Sequence, residues 1–454
     1  MYYTDDALYP ENQQPLIITA APFGPAWLPS DFPEDIPVTW DQQVQAAVDC
    51  YNAGATHLHI HVRNPATGRG SKDFEQYNYF LGRLRQAVPE MILSVGGSIS
   101  FSPKGPDEKA KWLDYDTRHM LADLDPAPDQ VTIAIGTNMM DVVQMWTEDD
   151  IQGTALTDPA IAAEWAGLWA DAGPAFYIEH LKRLRANNIQ PYFMLAHVHQ
   201  LEIVERLIRA GAYMGPLNHC LVAIGGGACG RNPFDWMEYL RRSPQGSVLT
   251  WENTMRGVIP MTAMAVMLGI HVRVGNEDNI WRVKGERFTT VQQVEQMVKL
   301  SEAYGRKVAT AQEARQIMQI GTWYDSPDET LFKLGLPPNR QGGQTGFVTW
   351  DTTGRHGVGA EASDSHPMAY CLIAPTSVDT DESVELPIIS LIEQFVSFAR
   401  QVVLGSSLYS SRIGTTSRTD NLAASRLCNH FTPPTEEPLW GERRRSWGVF
   451  GASS

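Results

Sequence analysis

The feature that most constrains this chain is an alternation of short apolar segments with amphipathic ones between Pro15 and Gly321. The short segments are five to seven residues long and mostly apolar. Such segments are typical of parallel strands that are buried on both faces of a sheet. Eight candidate strands are predicted, at residues 16–21, 56–62, 91–95, 130–136, 191–195, 218–224, 247–251 and 268–274.

Helical patterns separate these strands. Thr39 and Gln42 form a candidate capping box, and the apolar stripe over residues 44–51 ends before Gly54. Further helices are predicted at residues 73–87, 175–188, 201–210, 234–241, 289–304 and 310–320. Eight strands separated by helices at this spacing favour an α/β fold of the (β/α)8 TIM-barrel type, with a doubly wound open sheet as the alternative.

This pattern divides the chain into an N-terminal arm at residues 1–14, a barrel at residues 15–320 and a C-terminal extension at residues 321–454. The segments 102–128 and 138–174 are longer than ordinary connections, and we expect them to be insertions on the catalytic face. The extension is rich in Gly, Ser, Thr, Pro and Trp but includes one predicted helix, residues 387–404. The apolar face of that helix needs a partner, so the extension is expected to pack on the barrel or on a neighbouring subunit.

The composition excludes several classes of function. Lys and Arg number 36 against 52 Asp and Glu, for a net charge of −16, which disfavours binding to nucleic-acid phosphates. The five cysteines form no C-x-x-C pair, which indicates a reducing cytoplasm rather than a disulfide framework. The polar, acidic N-terminus does not resemble a signal peptide, and no apolar stretch is long enough to span a bilayer.

The second candidate strand contains the strongest chemical signal, three histidines at alternating positions. Side chains two residues apart on a strand share a face, so His59 and His61 are expected to project together into the mouth of the barrel. Paired neutral imidazoles there suit Zn²⁺. His57 lies deeper and is expected to be structural. The alternative is that all three are ordinary core histidines.

A third metal ligand is available at the end of the eighth strand. Because strand eight lies beside strand one in a barrel, and close to strand two, Glu277 could complete a His2Glu site. Arg273 and Asp278 could then pair with each other or face the substrate. A solvated loop is the alternative for these residues.

A glycine-rich loop follows the sixth strand and contains Gly225, Gly226, Gly227 and Arg231. Its backbone N–H groups and the arginine could approach an anion, although a tight turn would have the same composition. The loop is neither a Walker A motif nor a dinucleotide-binding fingerprint.

Seven stretches together resemble the β-keto acid cleavage enzymes over residues 15–320. They are PLIITAA (15–21), AGATHLHIHVRNPATG (53–68), ILSVGG (92–97), AIGTN (134–138), IGGGACGRNP (224–233), HVRVGNEDNIW (271–281) and GRKVATAQEARQIM (305–318). The resemblance implies a TIM barrel with a divalent metal, usually zinc. It also implies condensation of a β-keto acid with acetyl-CoA, which gives acetoacetate and a new acyl-CoA, in a homo-oligomer that could be a tetramer.

The resemblance also implies roles for individual residues. His59, His61 and Glu277 correspond to the metal ligands, and Asp278, held by Arg273, corresponds to the general base. Ser94 and Thr137 correspond to hydroxyl groups near the reacting carbonyls, and Asn279 is a candidate substrate contact. The glycine loop and Arg231 would lie toward CoA.

The chain departs from the amino-substrate members of this family at two places. Ala26, beside Trp27, stands where those members have a glutamate that meets the substrate's ammonium group, so a neutral or apolar keto acid is expected. If the preceding loop is shifted, another acid could take over this role. On the fifth strand the family often has glutamates, whereas this chain has Met194, His197 and His199, and either histidine could line the pocket or lie on the surface.

Two other functions remain open at this stage. A hydrolase or retro-aldolase could use the same metal without CoA, and a catalytically silent barrel could serve as a binding scaffold. Dependence of turnover on acetyl-CoA distinguishes these possibilities from the leading hypothesis.

Overall fold

In a computed structural model of the chain, eight parallel strands form a closed barrel in which the first strand pairs with both the second and the eighth. The structure describes residues 1–97, 109, 115–135, 139–140, 142–166, 168–169, 173–223 and 229–339. The barrel strands are β1 Ile18–Ala20, β2 His57–Ile60, β3 Ile92–Val95, β4 Gln130–Ile135, β5 Gln190–Leu195, β6 Asn218–Ala223, β7 Val248–Asn253 and β8 His271–Val274. The predicted TIM barrel is confirmed, and its closure excludes the open sheet.

Twelve α-helices occur in the described part of the chain, most of them packed around the barrel. They are α1 Trp40–Asn52, α2 Phe74–Ala87, α3 Tyr115–His119, α4 Glu148–Ile151, α5 Pro159–Glu164, α6 Pro174–Ala186, α7 Val198–Arg209, α8 Pro233–Arg242, α9 Val258–Met267, α10 Thr290–Tyr304, α11 Ala311–Ile317 and α12 Pro327–Lys333. Two short antiparallel pairs lie outside the barrel: Met139–Met140 with Leu168–Trp169, and Trp281–Val283 with Glu286–Arg287. None of the described helices is long and apolar enough to cross a bilayer.

The start of the eighth strand and the end of the seventh differ from the sequence prediction. The eighth strand begins at His271 rather than at residue 268, because Leu268 caps α9 by donating its N–H to Met264. The seventh strand runs two residues further than predicted, because Glu252 and Asn253 pair with the end of β6. The capping box at Thr39 is confirmed, with Thr39 Oγ1 accepting from Gln42 N at 3.2 Å.

Side chains on the two faces of the strands pack into two apolar clusters. On β5, Phe193 and Leu195 point outward and join the cluster between sheet and helices. Tyr192, on the opposite face, joins a second cluster that fills the barrel interior and continues to its mouth. The period of two along each strand therefore separates helix-facing from barrel-facing residues.

Several predicted segments lie outside the described residues. They include the helix at residues 387–404 and, within the predicted insertion at residues 102–128, residues 102–108 and 110–114. Beyond α11, α12 packs against α7 and buries Leu331 and Leu334 in the outer cluster. The domain boundary at residue 320 and the packing of the extension remain predictions.

Arg306, which is almost fully buried, joins the chain entering β1 to the junction before β8. Its guanidinium donates to the carbonyls of Gln14, Val266, Gly269 and Ile270 at 2.9–3.1 Å. We expect Arg306→Met to lower the free energy of unfolding by about 2–3 kcal/mol, because it leaves buried carbonyls without donors. Urea unfolding monitored by tryptophan fluorescence measures the effect. Arg282→Met, which removes an exposed pair with Glu286, is the control, and an equal loss in both variants would contradict this role of Arg306.

Candidate metal centre

His59 on β2 and His61 just after it face the same side of the sheet, and their ring nitrogens lie close together. His59 Nε2 and His61 Nε2 are 3.2 Å apart, and both residues are buried. His57, two residues earlier, lies deeper and bonds through Nδ1 to Thr19 Oγ1 at 2.9 Å. This arrangement leaves the outer two imidazoles together at the barrel mouth.

Glu277 reaches the two imidazoles from the loop after β8. Its Oε1 lies 3.5 Å from His59 Nε2 and 3.2 Å from His61 Nε2. One ligand atom from each of the three residues lies within 4.8 Å of the others. Glu277 Oε2 is buried and has no hydrogen-bond partner in the described part of the chain. Two imidazoles and a carboxylate with an unused oxygen fit a divalent metal ion.

Arg273, on β8, joins this group to a second carboxylate. Its Nε and Nη2 donate to the two oxygens of Asp278 at 2.8 and 2.9 Å, and its Nη2 also lies 2.9 Å from Glu277 Oε1. All three residues are buried or nearly so. The bidentate pair fixes the carboxylate of Asp278 beside the three candidate ligands.

Glu252, at the end of β7, is a further acid in this cluster that the sequence analysis did not single out. It is buried, and its Oε2 lies 3.4 Å from Arg273 Nη1 and 3.5 Å from Cys220 Sγ. The signal in the sequence is a glutamate that directly follows the apolar run VLTW. It was not singled out because the predicted strand ends at residue 251, two residues before the end of β7.

Among the described residues, the charges of this cluster do not balance. Near pH 7 the raised pKa of Glu252 keeps that carboxyl mostly protonated, so the carboxylates of Glu277 and Asp278 exceed the guanidinium of Arg273 by one negative charge. Uncompensated buried charge is costly, so this surplus favours a cation beside the imidazoles.

Protonation of the ligand residues is also suited to a metal ion. Burial and then the charge of Arg273 lower the pKa of His59 to about 4, so its imidazole is neutral near pH 7. Burial opposes ionisation of Glu277, but Arg273 and the two imidazoles outweigh it and hold the pKa of Glu277 well below its usual range. Neutral imidazole and ionised carboxylate are the forms that bind metals.

The other two carboxylates respond mainly to burial. Burial and the charge of Glu277 raise the pKa of Asp278 to about 6, although Arg273 opposes this shift. Burial, with Asp278 and Glu277, raises the pKa of Glu252 to about 8 against the opposing effect of Arg273.

Two glycines leave room for the candidate ligands. A Cβ atom at Gly96 would lie 2.5 Å from His61 Cε1, and one at Gly24 would collide with the Glu277 side chain. Larger residues at either position would therefore displace a ligand.

The remaining predicted site residues have varied surroundings. Ser94 lies across from His59 in the β2–β3 register, and its buried hydroxyl has no hydrogen-bond partner in the described chain. Ala26 is half-buried, Trp27 is buried, and the Asn279 side chain bonds to the backbone of Trp281. Thr137 lies outside the described residues.

A cavity that none of the candidate metal ligands lines lies near the glycine loop. Gly225, Gly226 and Gly227 are outside the described residues, whereas Arg231 is exposed. His197 and His199 line a cavity of about 330 Å³, together with Cys229, Asp235 and Glu238. Neither histidine belongs to the group of metal-ligating side chains that includes His59.

A closed parallel β/α barrel with two histidines and a glutamate at its mouth defines a class of candidate metal-dependent barrel enzymes. The sequence matches the beta-keto acid cleavage enzyme family over residues 15–320, so the chain belongs to that family and is a β-keto acid cleavage enzyme. The resemblance stated from the sequence is confirmed.

Three relatives align with this chain over most of their own length. The chain is 27% identical to a 3-keto-5-aminohexanoate cleavage enzyme of Acetoanaerobium sticklandii over 67% of this chain and 98% of that protein. It is 25% identical to a 3-dehydrocarnitine:acetyl-CoA trimethylamine transferase of Rhizobium meliloti, over 63% and 90%, respectively. It is 24% identical to a 3-oxoadipate:acetyl-CoA acetyltransferase of Cupriavidus necator, over 68% and 95%.

We expect Glu252 to make the metal-free protein less stable as pH rises from about 5 to 8. Its pKa is raised from 4.5 to about 8 in the folded protein, so the stabilising proton is fully bound below the ordinary pKa and is lost as pH approaches 8. Glu252→Gln should flatten this part of the stability profile. Urea midpoints measured at several pH values test it, with Glu302→Gln on the exposed face of α10 as the control. Parallel profiles for wild type and Glu252→Gln would contradict the prediction.

Proposed function

We propose that this protein is a zinc-dependent enzyme that condenses a non-cationic β-keto acid with acetyl-CoA, giving acetoacetate and a new acyl-CoA. The observation that carries this proposal is the group formed by His59, His61 and Glu277 with the Arg273–Asp278 pair beside it. Two of the relatives described above carry acetyl-CoA in their names, which supports the choice of co-substrate.

His59, His61 and Glu277 would hold the metal ion, which when bound supplies a Lewis acid for the ketone and carboxylate of the keto acid. Asp278 would take a proton from the carbon between these two groups, while Arg273 holds its carboxylate in place. The resulting carbanion attacks the thioester carbonyl of acetyl-CoA. The hydroxyls of Ser94 and Thr137 would stabilise the oxyanion that forms.

CoA leaves the acetyl carbon as a thiolate and attacks the acyl carbonyl of the keto acid. Cleavage of the bond between that carbonyl carbon and the former C2 gives the new acyl-CoA and the carbanion of acetoacetate, which takes back the proton from Asp278. Arg231 and the glycine loop at residues 225–227 would contact CoA.

The expected preference for non-cationic substrates rests on apolar side chains at the barrel mouth. Ala26 and Met194 belong to the edge of the inner apolar cluster, and Trp27 lies within it. Met194 shares the barrel-facing side of β5 with Tyr192. A substrate ammonium group would have no carboxylate from Ala26 or Met194 to offset the loss of its hydration.

The function is tested with zinc-loaded protein, acetyl-CoA and a panel of neutral, anionic and cationic β-keto acids. We expect acetoacetate and the matching acyl-CoA, with kcat/KM at least tenfold higher for a neutral keto acid than for a cationic acid of equal size, a difference of about 1.4 kcal/mol. Turnover without acetyl-CoA would favour a hydrolase or retro-aldolase. Binding without any turnover would favour a scaffold.

The roles of the adjacent acids are separable by substitution. We expect Glu277→Gln to weaken zinc binding, because it removes the only anionic ligand of the three. Asp278→Asn should retain zinc but lower kcat by roughly 10²- to 10⁴-fold, the usual contribution of a general base. Metal analysis and steady-state rates on both variants measure these effects, and equal zinc loss in the two would overturn the assignment.

A further inference from the structure

Residues 142–166, here called the cap, follow β4 and contact loops at the barrel mouth. The cap consists of α4, α5 and two single turns of 3-10 helix, Val142–Met145 and Ala155–Thr157. A connection between consecutive strands of a barrel does not require these additional helical turns. We therefore infer the role of the cap from the residues that it contacts.

Asp150 fastens the cap to the loops after β7 and β8. Its buried carboxylate accepts from Arg256 Nε at 2.8 Å, and its carbonyl oxygen accepts from Trp281 Nε1 at 2.6 Å. Arg256 follows Met255, whose N–H donates to the carbonyl of Asp278 at 2.7 Å. The attachment is therefore made to the same stretch of chain that carries the candidate base and metal ligand.

Other contacts join the cap to the loops after β1 and β2 and to the chain after β8. Ala155 N donates to Asp31 Oδ1 at 2.7 Å, and Asp31 is a buried residue of the loop after β1. Glu164 pairs at 3.1 Å with Arg69, in the loop after β2. Arg287 Nη2 also donates to the Gly153 carbonyl at 3.1 Å. The cap is thus bonded to loops from the strands that supply the candidate metal centre.

The inward side of the cap is apolar. Met145, Leu156 and Trp165 are buried in the cluster that also contains Trp27 and barrel-interior residues. Trp146 is the largest of the described cap side chains at the edge of this cluster, where Ala26 and Met194 also lie, and it is only partly buried. Unlike the buried members, these partly buried side chains retain surface that an apolar ligand can contact.

From these contacts we infer that the cap completes the acyl pocket and that Trp146 is a specificity-determining residue, held in place by the Asp150–Arg256 pair. This inference rests on the proposed function. The pocket wall is then apolar on three sides, from the β1 loop, β5 and the cap. It favours β-keto acids whose acyl chain is a compact hydrocarbon, because a longer chain meets the Trp146 ring.

The specificity is tested with Trp146→Ala on a series of straight-chain β-keto acids. We expect kcat/KM for a long acyl chain relative to a short one to rise at least tenfold, with the KM for acetyl-CoA and the zinc content unchanged. Trp323→Ala, which removes a half-buried tryptophan that contacts Tyr213 and Asn188, is the matched control. An unchanged ratio, or the same change in both variants, would overturn the assignment of Trp146.

The attachment of the cap is tested by Asp150→Asn and Arg256→Gln. Both should increase deuterium exchange of residues 147–157 and raise the KM of the keto acid roughly tenfold, because a displaced wall no longer orients the substrate. Glu295→Gln, which breaks an exposed pair with Lys299 on α10, should change neither. Unchanged exchange in the Asp150 and Arg256 variants would overturn the role of this pair.

Exchange is measured without substrate, so it reports on the cap even if the proposed reaction fails. Absence of turnover by the wild type with every keto acid would refute the function. Wild-type turnover with unaltered chain-length preference in Trp146→Ala would refute only the inference about the cap.

Discussion

The candidate site depends on closure of the barrel through β1. This short strand pairs with β2 on one side and with β8 on the other, so that Thr19 lies beside both His57 and Arg273. Residues distant in sequence are thereby brought to one mouth, where two imidazoles meet a carboxylate. An open sheet would leave β2 and β8 far apart. The pairing of three residues, Ile18 to Ala20, thus sets the distance between His59 and His61 on one side and Glu277 on the other in the candidate metal centre.

Much of this arrangement could be predicted from the sequence because its causes are local. Alternation of apolar and helical segments indicates a barrel, and the period of two along β2 aligns His59 with His61. Placing strand eight beside strand one then predicts that Glu277 lies near these two histidines. These arguments need only strand order and periodicity.

Other features could not be predicted because they arise from long-range packing. Glu252 lies within β7 only because the β6–β7 pairing continues beyond the apolar run. The contact of Asp150 with Arg256 and Trp281 joins segments with no shared pattern in the sequence. The start of β8 was placed three residues early because the C-terminal cap of α9 resembles the beginning of an apolar strand.

The glycine at residue 96 limits how the sequence around this site can evolve. The ring of His61 occupies the space that a side chain at residue 96 would need, so residue 96 and His61 cannot be substituted independently. Ala26 and Met194, at the edge of the inner apolar cluster, are carried by other segments of the barrel. Substitutions at those two positions can therefore change the apolar surface there without altering the contact between residue 96 and His61.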